Sequence, residues 1–136
     1  MSMSKKVKLK QDESVWMVCT SKDEYGNGEY TYQDADGTTL GIEHRKIDGE
    51  LDGVQTWFHE NGNKESEHHF TDGKADGKWT WWYENGNLQE ERFHTDGFQD
   101  GRHTYYDEDG EMEFHYIYKD GKLVQKLVED FQILSN

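Results

Sequence analysis

A 24-residue period runs through most of this chain and limits the folds that it can adopt. An aromatic pair follows this interval, as Trp57-Phe58, Trp81-Trp82 and Tyr105-Tyr106. Glycines recur at the same interval in three series: Gly49, Gly73, Gly97 and Gly121; Gly53, Gly77 and Gly101; and Gly62, Gly86 and Gly110. Tandem units of this size bury their apolar faces against their neighbours. The period therefore predicts a repeat array, and such arrays usually form recognition surfaces.

Each unit has the residue pattern of a β-hairpin. The clearest copy runs from Gly77 to Phe93, and its first arm is rich in aromatic residues and threonine, which favour strands. Asn85-Gly86 predicts a type I′ turn, in which both central residues need a positive φ. Asn61-Gly62 and Asp109-Gly110 repeat this signal. We expect an all-β, single-layer antiparallel meander of about eight strands, plus one or two strands around Val15–Val18.

Paired Asp-Gly steps connect the hairpins and predict tight turns. They lie between Asp48 and Gly53, between Asp72 and Gly77, and between Asp96 and Gly101. An earlier, degenerate copy runs from Gly28 to about Ile47, and it is displaced from the period by one residue. The array should therefore contain about four hairpins.

The pattern changes after Gly121. No turn residue interrupts Lys122 to Leu134, and the apolar residues fall on one helical stripe: Val124, Leu127, Val128, Phe131 and Leu134. This spacing predicts a short amphipathic helix that caps the array, with a final strand as the alternative. The chain then divides into an N-terminal segment with one or two strands (1–23), the repeat array (24–121) and the cap (122–136).

Strand alternation assigns the side chains to two faces, called face A and face B. With Asn85-Gly86 at the turn, Trp81 should pair with Glu90, and Trp82 with Gln89. Face A is predicted to contain Trp79, Trp81, Tyr83 and Leu88, with Tyr30, Tyr32, Trp57, Tyr105, Met112, Phe114 and Tyr116. Face B is predicted to contain Thr80, Trp82, Gln89, Glu91 and Phe93, with Thr56, Phe58, Glu65, Glu67, Thr104, Tyr106, Glu113 and His115. Face A has more rings and should be the packed face.

Face B combines aromatic side chains with a line of carboxylates. Aromatic anchors within a polar surround are the usual anatomy of a binding hot spot. The predicted partner-binding residues are Phe58, Trp82, Tyr106, Glu65, Glu67, Glu91 and Glu113. The alternatives are the C-terminal tail and four variable positions on face A, namely Tyr30, Gln55, Trp79 and His103.

The net charge of -14 limits the classes of partner. Nucleic acid and anionic membrane surfaces attract basic proteins, so neither is expected to bind. A basic protein partner is favoured, although the acidity also serves to keep a flat sheet soluble and leaves self-association through sheet edges open. Cys19 is the only cysteine, and we find neither a signal peptide nor a long apolar run. A cytoplasmic location is therefore expected.

Cofactor chemistry and catalysis have little support in the sequence. The Asp-Gly pairs near Asp34 and Asp107 resemble the start of a calcium loop, but strands flank them, so we interpret them as turns. His68 and His69 are adjacent in a strand and should point to opposite faces, which does not suit a zinc site. No phosphate-binding loop precedes a helix. We expect no cofactor, no metal site and no enzymatic activity.

The unit from Asp72 to Leu88 closely resembles the MORN-repeat variant, in the form found in bacterial antitoxins of toxin–antitoxin pairs. The resemblance extends from about Gly28 to Val124 and implies a sheet of hairpin repeats. No catalytic residues belong to this repeat, so the resemblance implies none here. It implies an antitoxin or immunity protein that neutralises a cognate toxin by direct binding. The alternative is a scaffold or adaptor that organises other proteins or associates with itself.

Overall fold

The computed structural model describes residues 6–9, 12–128 and 133–134, and all of their regular secondary structure is β. Twelve strands form one sheet, in which the spatial order equals the chain order and all pairs are antiparallel. The strands are β1 (Lys6–Leu9), β2 (Asp12–Lys22), β3 (Gly28–Gln33), β4 (Thr39–Arg45), β5 (Gly53–Phe58), β6 (Lys64–Thr71), β7 (Lys74–Trp82), β8 (Leu88–Thr95), β9 (Phe98–Tyr106), β10 (Met112–Lys119), β11 (Lys122–Val128) and β12 (Ile133–Leu134). The predicted antiparallel meander is confirmed, with more strands than expected.

The described part of the sheet has no deep core. Extensive contacts join only strands that are neighbours in the sheet. Among the described residues, the buried hydrophobic side chains are Val18, 4% exposed, and Tyr32, 8% exposed. Val18 pairs with Thr31 on one face, and Tyr32 pairs with Met17 on the other. Stability must therefore come mainly from cross-strand pairs on both faces, rather than from one packed face.

The two kinds of turn differ in type: the connectors are tight turns as predicted, whereas the hairpin loops are not the predicted type I′ turns. Asp72, Asp96 and Asp120 each have a φ of 50°, and a glycine with positive φ follows each one, as a type I′ turn requires. In contrast, the N–H of Gly86 donates to the carbonyl of Tyr83, and only Gly86 in that turn has positive φ. The Asn85-Gly86 turn is a three-residue loop, a type I turn followed by a glycine bulge. The predicted type I′ turn there is wrong.

Between this loop and Gln89, the hairpin register differs from the predicted one by one residue. Trp81 pairs with Glu90 as predicted, but Trp82 pairs with Leu88, and Gln89 has no cross-strand partner. The same bulge occurs in the neighbouring hairpins, where Phe58 pairs with Lys64 and Tyr106 with Met112. Leu88 and Met112 therefore lie on face B, not on face A, because one extra residue reverses the alternation.

Asparagine side chains link the last three hairpin loops along the sheet. The amides of Asn61 and Asn63 both donate to the carbonyl of Glu84, and those of Asn85 and Asn87 donate to the carbonyl of Glu108. An asparagine pair thus satisfies a carbonyl 21 to 23 residues away. We call this side of the sheet the hairpin edge, defined by the loops at 34–37, 59–62, 83–86 and 107–110. The opposite side, at 23–26, 46–49, 72–73, 96–97 and 120–121, is the connector edge.

The predicted capping helix is not confirmed. Lys122–Val128 is strand β11, which pairs with β10, and Ile133–Leu134 pairs with β11 as β12. This is the alternative that the sequence left open, and residues 129–132 lie outside the described residues. The parts of the chain that are described contain no helix that is long and apolar enough to cross a membrane.

Candidate protein-binding surface

A stripe of large side chains crosses face B beside the hairpin edge. Phe58, Trp82 and Tyr106 are the last residues of β5, β7 and β9, and all three are half-buried. Their cross-strand partners are Lys64, Leu88 and Met112. The Nζ of Lys64 lies 5.9 Å from the ring centroid of Trp82 and links two units of the stripe. These six residues form what we call the face B stripe.

Threonine and glutamate alternate in the neighbouring row of face B. Thr56, Glu67, Thr80, Glu91 and Thr104 are successive partners from β5 to β9. Thr80 and Thr104 are buried. The carboxylates have nearby cations, because the Nζ of Lys64 is 3.2 Å from Glu67 and that of Lys78 is 2.8 Å from Glu91. This placement separates the like charges with threonines, which lowers the cost of repeating glutamates across strands.

The four predicted carboxylates divide into two pairs. Glu67 and Glu91 lie on face B next to the stripe, as the alternation predicted. Glu65 and Glu113 are the extra residues of the bulges, are exposed, and have no cross-strand partner. Glu65 lies 3.7 Å from the Nδ1 of His59, on the hairpin edge. These two carboxylates therefore belong to the edge rather than to a line across the face.

Both edges of the sheet carry carboxylates that have no ion pair with Lys or Arg among the described residues, and on the connector edge these include Asp23, Glu24 and Asp48. On the connector edge, lysines pair with aspartates, as in Lys46–Asp72 and Lys74–Asp96. In the last three loops of the hairpin edge, carboxylates within the described chain have no ion pair with Lys or Arg: Glu60, Glu84, Asp107, Glu108, Asp109 and Glu111. The face B stripe is thus flanked by uncompensated negative charge.

Face A contains a buried carboxylate that the sequence reading did not identify. Glu43 is 1% exposed and pairs with the Nε of Arg45 at 2.6 Å. The hydroxyl of Tyr32 donates to it at 2.7 Å, and the amide of Gln55 donates at 3.0 Å. Burial and the Glu43 carboxylate raise the pKa of Tyr32 to about 12. The sequence could have indicated the ion pair of Glu43 with Arg45, because residues i and i+2 of a strand share a face.

A second carboxylate network lies further along face A. The Nε of Arg92 is 2.9 Å from Glu90, and the Nε2 of His103 is 3.3 Å from the same oxygen. Burial alone raises the pKa of Glu90, but His103 and Arg92 outweigh it, so the pKa is lowered. The Arg92 guanidinium also lies 4.9 Å from the ring of Trp81. The Glu90 carboxylate is therefore held ionised and already interacts with side chains of the same chain.

Trp79 is the centre of a ring cluster on face A. Its ring centroid lies 4.4 Å from that of His68 and 4.6 Å from that of His94. Burial, followed by the charges of His94 and Arg92, lowers the pKa of His68. Burial, followed by those of Arg92 and His103, lowers the pKa of His94. Each histidine has one buried ring nitrogen without a hydrogen-bond partner, namely Nε2 of His68 and Nδ1 of His94.

The variable positions of face A are engaged inside the sheet. Gln55 bonds to Glu43, and the indole N–H of Trp79 donates to the carbonyl of His69. His103 is 4% exposed and contacts Gln99. Tyr30 is half-buried between Cys19 and Glu43. A partner would have to displace these contacts in order to use them, which favours face B as the docking surface.

The aspartates that resembled calcium ligands stabilise their own turns. The Oδ1 of Asp34 accepts the N–H groups of Asp36 and Thr38, and that of Asp107 accepts those of Asp109 and Glu111. These bonds are the local turn interactions that favour aspartate at this position. Within the described ranges, no group of three or more His, Cys, Asp or Glu side chains could hold a metal ion.

Comparison with known protein families agrees with this geometry. The MORN repeat variant matches residues 51–72, 75–96 and 99–120. The match therefore comprises three consecutive repeats, which lie between β5 and β10. The β3–β4 hairpin lies outside the matched residues, yet its Tyr32–Gly41 pair corresponds to Trp57–Ser66 in the next unit. No curated protein matches the chain.

Proposed function

We propose that this chain is a protein-binding module, and that it acts as an antitoxin or immunity protein which neutralises a cognate toxin by direct contact. The carrying observation is the face B stripe, whose rings Phe58, Trp82 and Tyr106 lie on three consecutive MORN-type repeats. The stripe runs beside hairpin loops whose carboxylates have no ion pair with Lys or Arg among the described residues. Aromatic anchors supply binding energy, and unpaired carboxylates attract a basic partner. The antitoxin role itself rests on the resemblance of the repeat unit to bacterial antitoxins.

Binding is proposed in preference to catalysis because the buried carboxylates already form ion pairs and hydrogen bonds within the chain. Glu43 is held by Arg45, Tyr32 and Gln55, and Glu90 by Arg92 and His103. A general acid at neutral pH would need a raised pKa, whereas that of Glu90 is lowered. The two faces of a single-layer sheet instead offer area for a partner.

The test begins with capture of partners by the intact chain and by Trp82→Ala, with folding checked by circular dichroism. Phe98→Ala is the matched control, since Phe98 is an aromatic residue, 60% exposed, on the connector side of the sheet. The expected partner is basic, is retained by the parent and Phe98→Ala, and is lost with Trp82→Ala. Its association rate should fall several-fold between low and high salt, because screening weakens charge steering.

Growth assays then separate an antitoxin from a scaffold. The captured protein is expressed alone and together with this chain. Growth arrest that co-expression relieves supports the antitoxin role, whereas a harmless partner contradicts it and favours a scaffold. Equal capture by a folded Trp82→Ala variant would show that face B is not the docking surface.

A further inference from the structure

The rings of the face B stripe recur at a fixed distance. Phe58, Trp82 and Tyr106 occupy the same position on β5, β7 and β9, so each ring is two strands from the next. Neighbouring strands lie about 4.8 Å apart, which places equivalent rings about 9.6 Å apart across the sheet. A segment that contacts all three rings in the same way must present side chains with a similar period.

Regular backbone conformations differ in the periods that they offer. A polyproline II helix has three residues per turn and a rise of about 3.1 Å, so its side chains recur every ~9.3 Å. An α-helix offers about 10.5 Å between residues i and i+7, and a β-strand offers about 6.6 or 13.2 Å on one face. Over the two intervals between three rings, polyproline II accumulates ~0.6 Å of mismatch, and the α-helix ~1.8 Å.

A ligand cannot bind at this site by adding a strand to the sheet. Each of β5 to β9 is already paired on both sides, so no free backbone donors or acceptors lie beside the stripe. A ligand must lie across the strands and bind through its side chains. Polyproline II suits this geometry, because it needs no partner for its backbone and loses little entropy on docking against aromatic rings.

The negative charge of the hairpin edge favours basic residues in the ligand. The hairpin edge runs beside the stripe, since His59, Tyr83 and Asp107 directly follow its three rings. Its carboxylates, which include Glu84 and Glu108, have no ion pair with Lys or Arg within the described residues. A bound segment would therefore gain from Lys or Arg on the side that faces this edge.

We propose that the face B stripe binds a basic, proline-containing segment of a partner protein in the polyproline II conformation. The segment crosses β5 to β10, contacts Phe58, Trp82 and Tyr106 with successive turns, and directs its cations toward the hairpin edge. This inference rests on the proposed binding function and specifies the kind of segment that is recognised.

Three synthetic peptides test the conformation and the charge separately, by fluorescence anisotropy with the full chain. The probe has three Arg-Pro-Pro triplets, the second peptide has three Arg-Gly-Ser triplets, and the third has three Glu-Pro-Pro triplets. We expect Arg-Pro-Pro to bind at least about tenfold more tightly than Arg-Gly-Ser, which has the same charge but a flexible backbone. Glu-Pro-Pro should not bind. Equal affinities for the two arginine peptides would overturn the proposal.

Charge-reversal variants test the location without affecting the rings. Glu84→Lys combined with Glu108→Lys should weaken Arg-Pro-Pro binding about tenfold or more, since two cations then face the arginines. Glu24→Lys combined with Glu50→Lys makes the same charge change on the connector edge and should weaken binding far less. Equal losses in the two double variants would show that the peptide responds only to net charge, and would overturn the site.

Binding of a basic amphipathic helix more tightly than Arg-Pro-Pro would also overturn the polyproline II assignment. The proposed function would survive that result, because capture of a partner by the intact chain and its loss in Trp82→Ala do not depend on the ligand conformation. Loss of the captured partner in Phe98→Ala as well as Trp82→Ala would instead count against the proposed docking face itself.

Discussion

The two faces of the sheet differ in the row of residues that lies next to their recurring aromatic side chains. On face B the same residue types return in each unit, as in Thr56, Thr80 and Thr104. On face A the equivalent residues Gln55, Trp79 and His103 all differ. The variable row of face A is engaged in networks within the chain, whereas the threonine row of face B returns beside the stripe at each step. A repeat array can thus separate the side chains that hold it together from those that it offers to a partner.

The largest effect on stability is expected at the buried carboxylate of face A. Glu43→Ala leaves the charge of Arg45 and the donors of Tyr32 and Gln55 without their common partner. Loss of one member of a buried ion pair costs about 4 kcal/mol. Urea unfolding followed by circular dichroism measures it. Glu67→Ala on face B is the control and should cost under about 1 kcal/mol; similar losses would contradict the proposed difference between the faces.

Trp81→Ala is expected to have the next largest effect. Trp81 is half-buried on face A between Ser66 and Glu90 and packs against Arg92. Its removal should reduce the free energy of unfolding by about 3 kcal/mol. Thermal melting provides the measurement. A melting temperature equal to that of the parent would show that face A does not support the array.

Substitutions of Leu88 and Gln89 test the position of the bulge in β8. Leu88 pairs with Trp82 on face B, whereas Gln89 is exposed and has no cross-strand partner. Leu88→Ala should lower stability by about 1.5 kcal/mol for a half-buried leucine, and Gln89→Ala by less than about 0.5 kcal/mol. The urea midpoints of the two variants distinguish pairing of Trp82 with Leu88 from pairing of Trp82 with Gln89. Equal midpoints would favour the sequence-based pairing of Trp82 with Gln89.

The smallest effect is a pH dependence that should originate on face A. The lowered pKa values of His68 and His94 mean that the unfolded chain takes up protons first, near pH 6.5. Their contribution is therefore complete above that pH and is lost as the pH falls through the folded-state pKa values. Urea unfolding between pH 7.5 and 5.5 should show this loss. His94→Phe should flatten the profile, and a profile equal to that of the parent would show that the loss arises elsewhere.

Parts of the fold that depend on local sequence were predictable, and those that depend on chain pairing were not. The positions of the turns followed from the glycines, and the Trp81–Glu90 pair followed from the turn position. The Asn85-Gly86 dipeptide fits two loop types, and the choice moved Leu88 and Met112 to the other face. The apolar residues after Gly121 fit a helix as well as a strand, and pairing of β11 with β10 determined the outcome.

Less of the candidate surface could be predicted than of the fold. The sequence placed Phe58, Trp82 and Tyr106 on one face, because alternation within a strand is local. It also placed Glu65 and Glu113 there, although the bulge removes both from the ladder. It did not identify Glu43, whose partners Tyr32 and Gln55 lie on neighbouring strands and are 11 and 12 residues away.

The sequence by itself determined an acidic array of antiparallel hairpins with a 24-residue period, because turn formation and strand propensity depend on a few adjacent residues. Only the tertiary structure decided where the bulges lie, on which face Leu88 and Met112 fall, and which carboxylates form ion pairs. A one-residue bulge reverses the alternation only between itself and the turn, and ion pairs form between residues brought together by strand pairing. Those relations arise from the sheet as a whole.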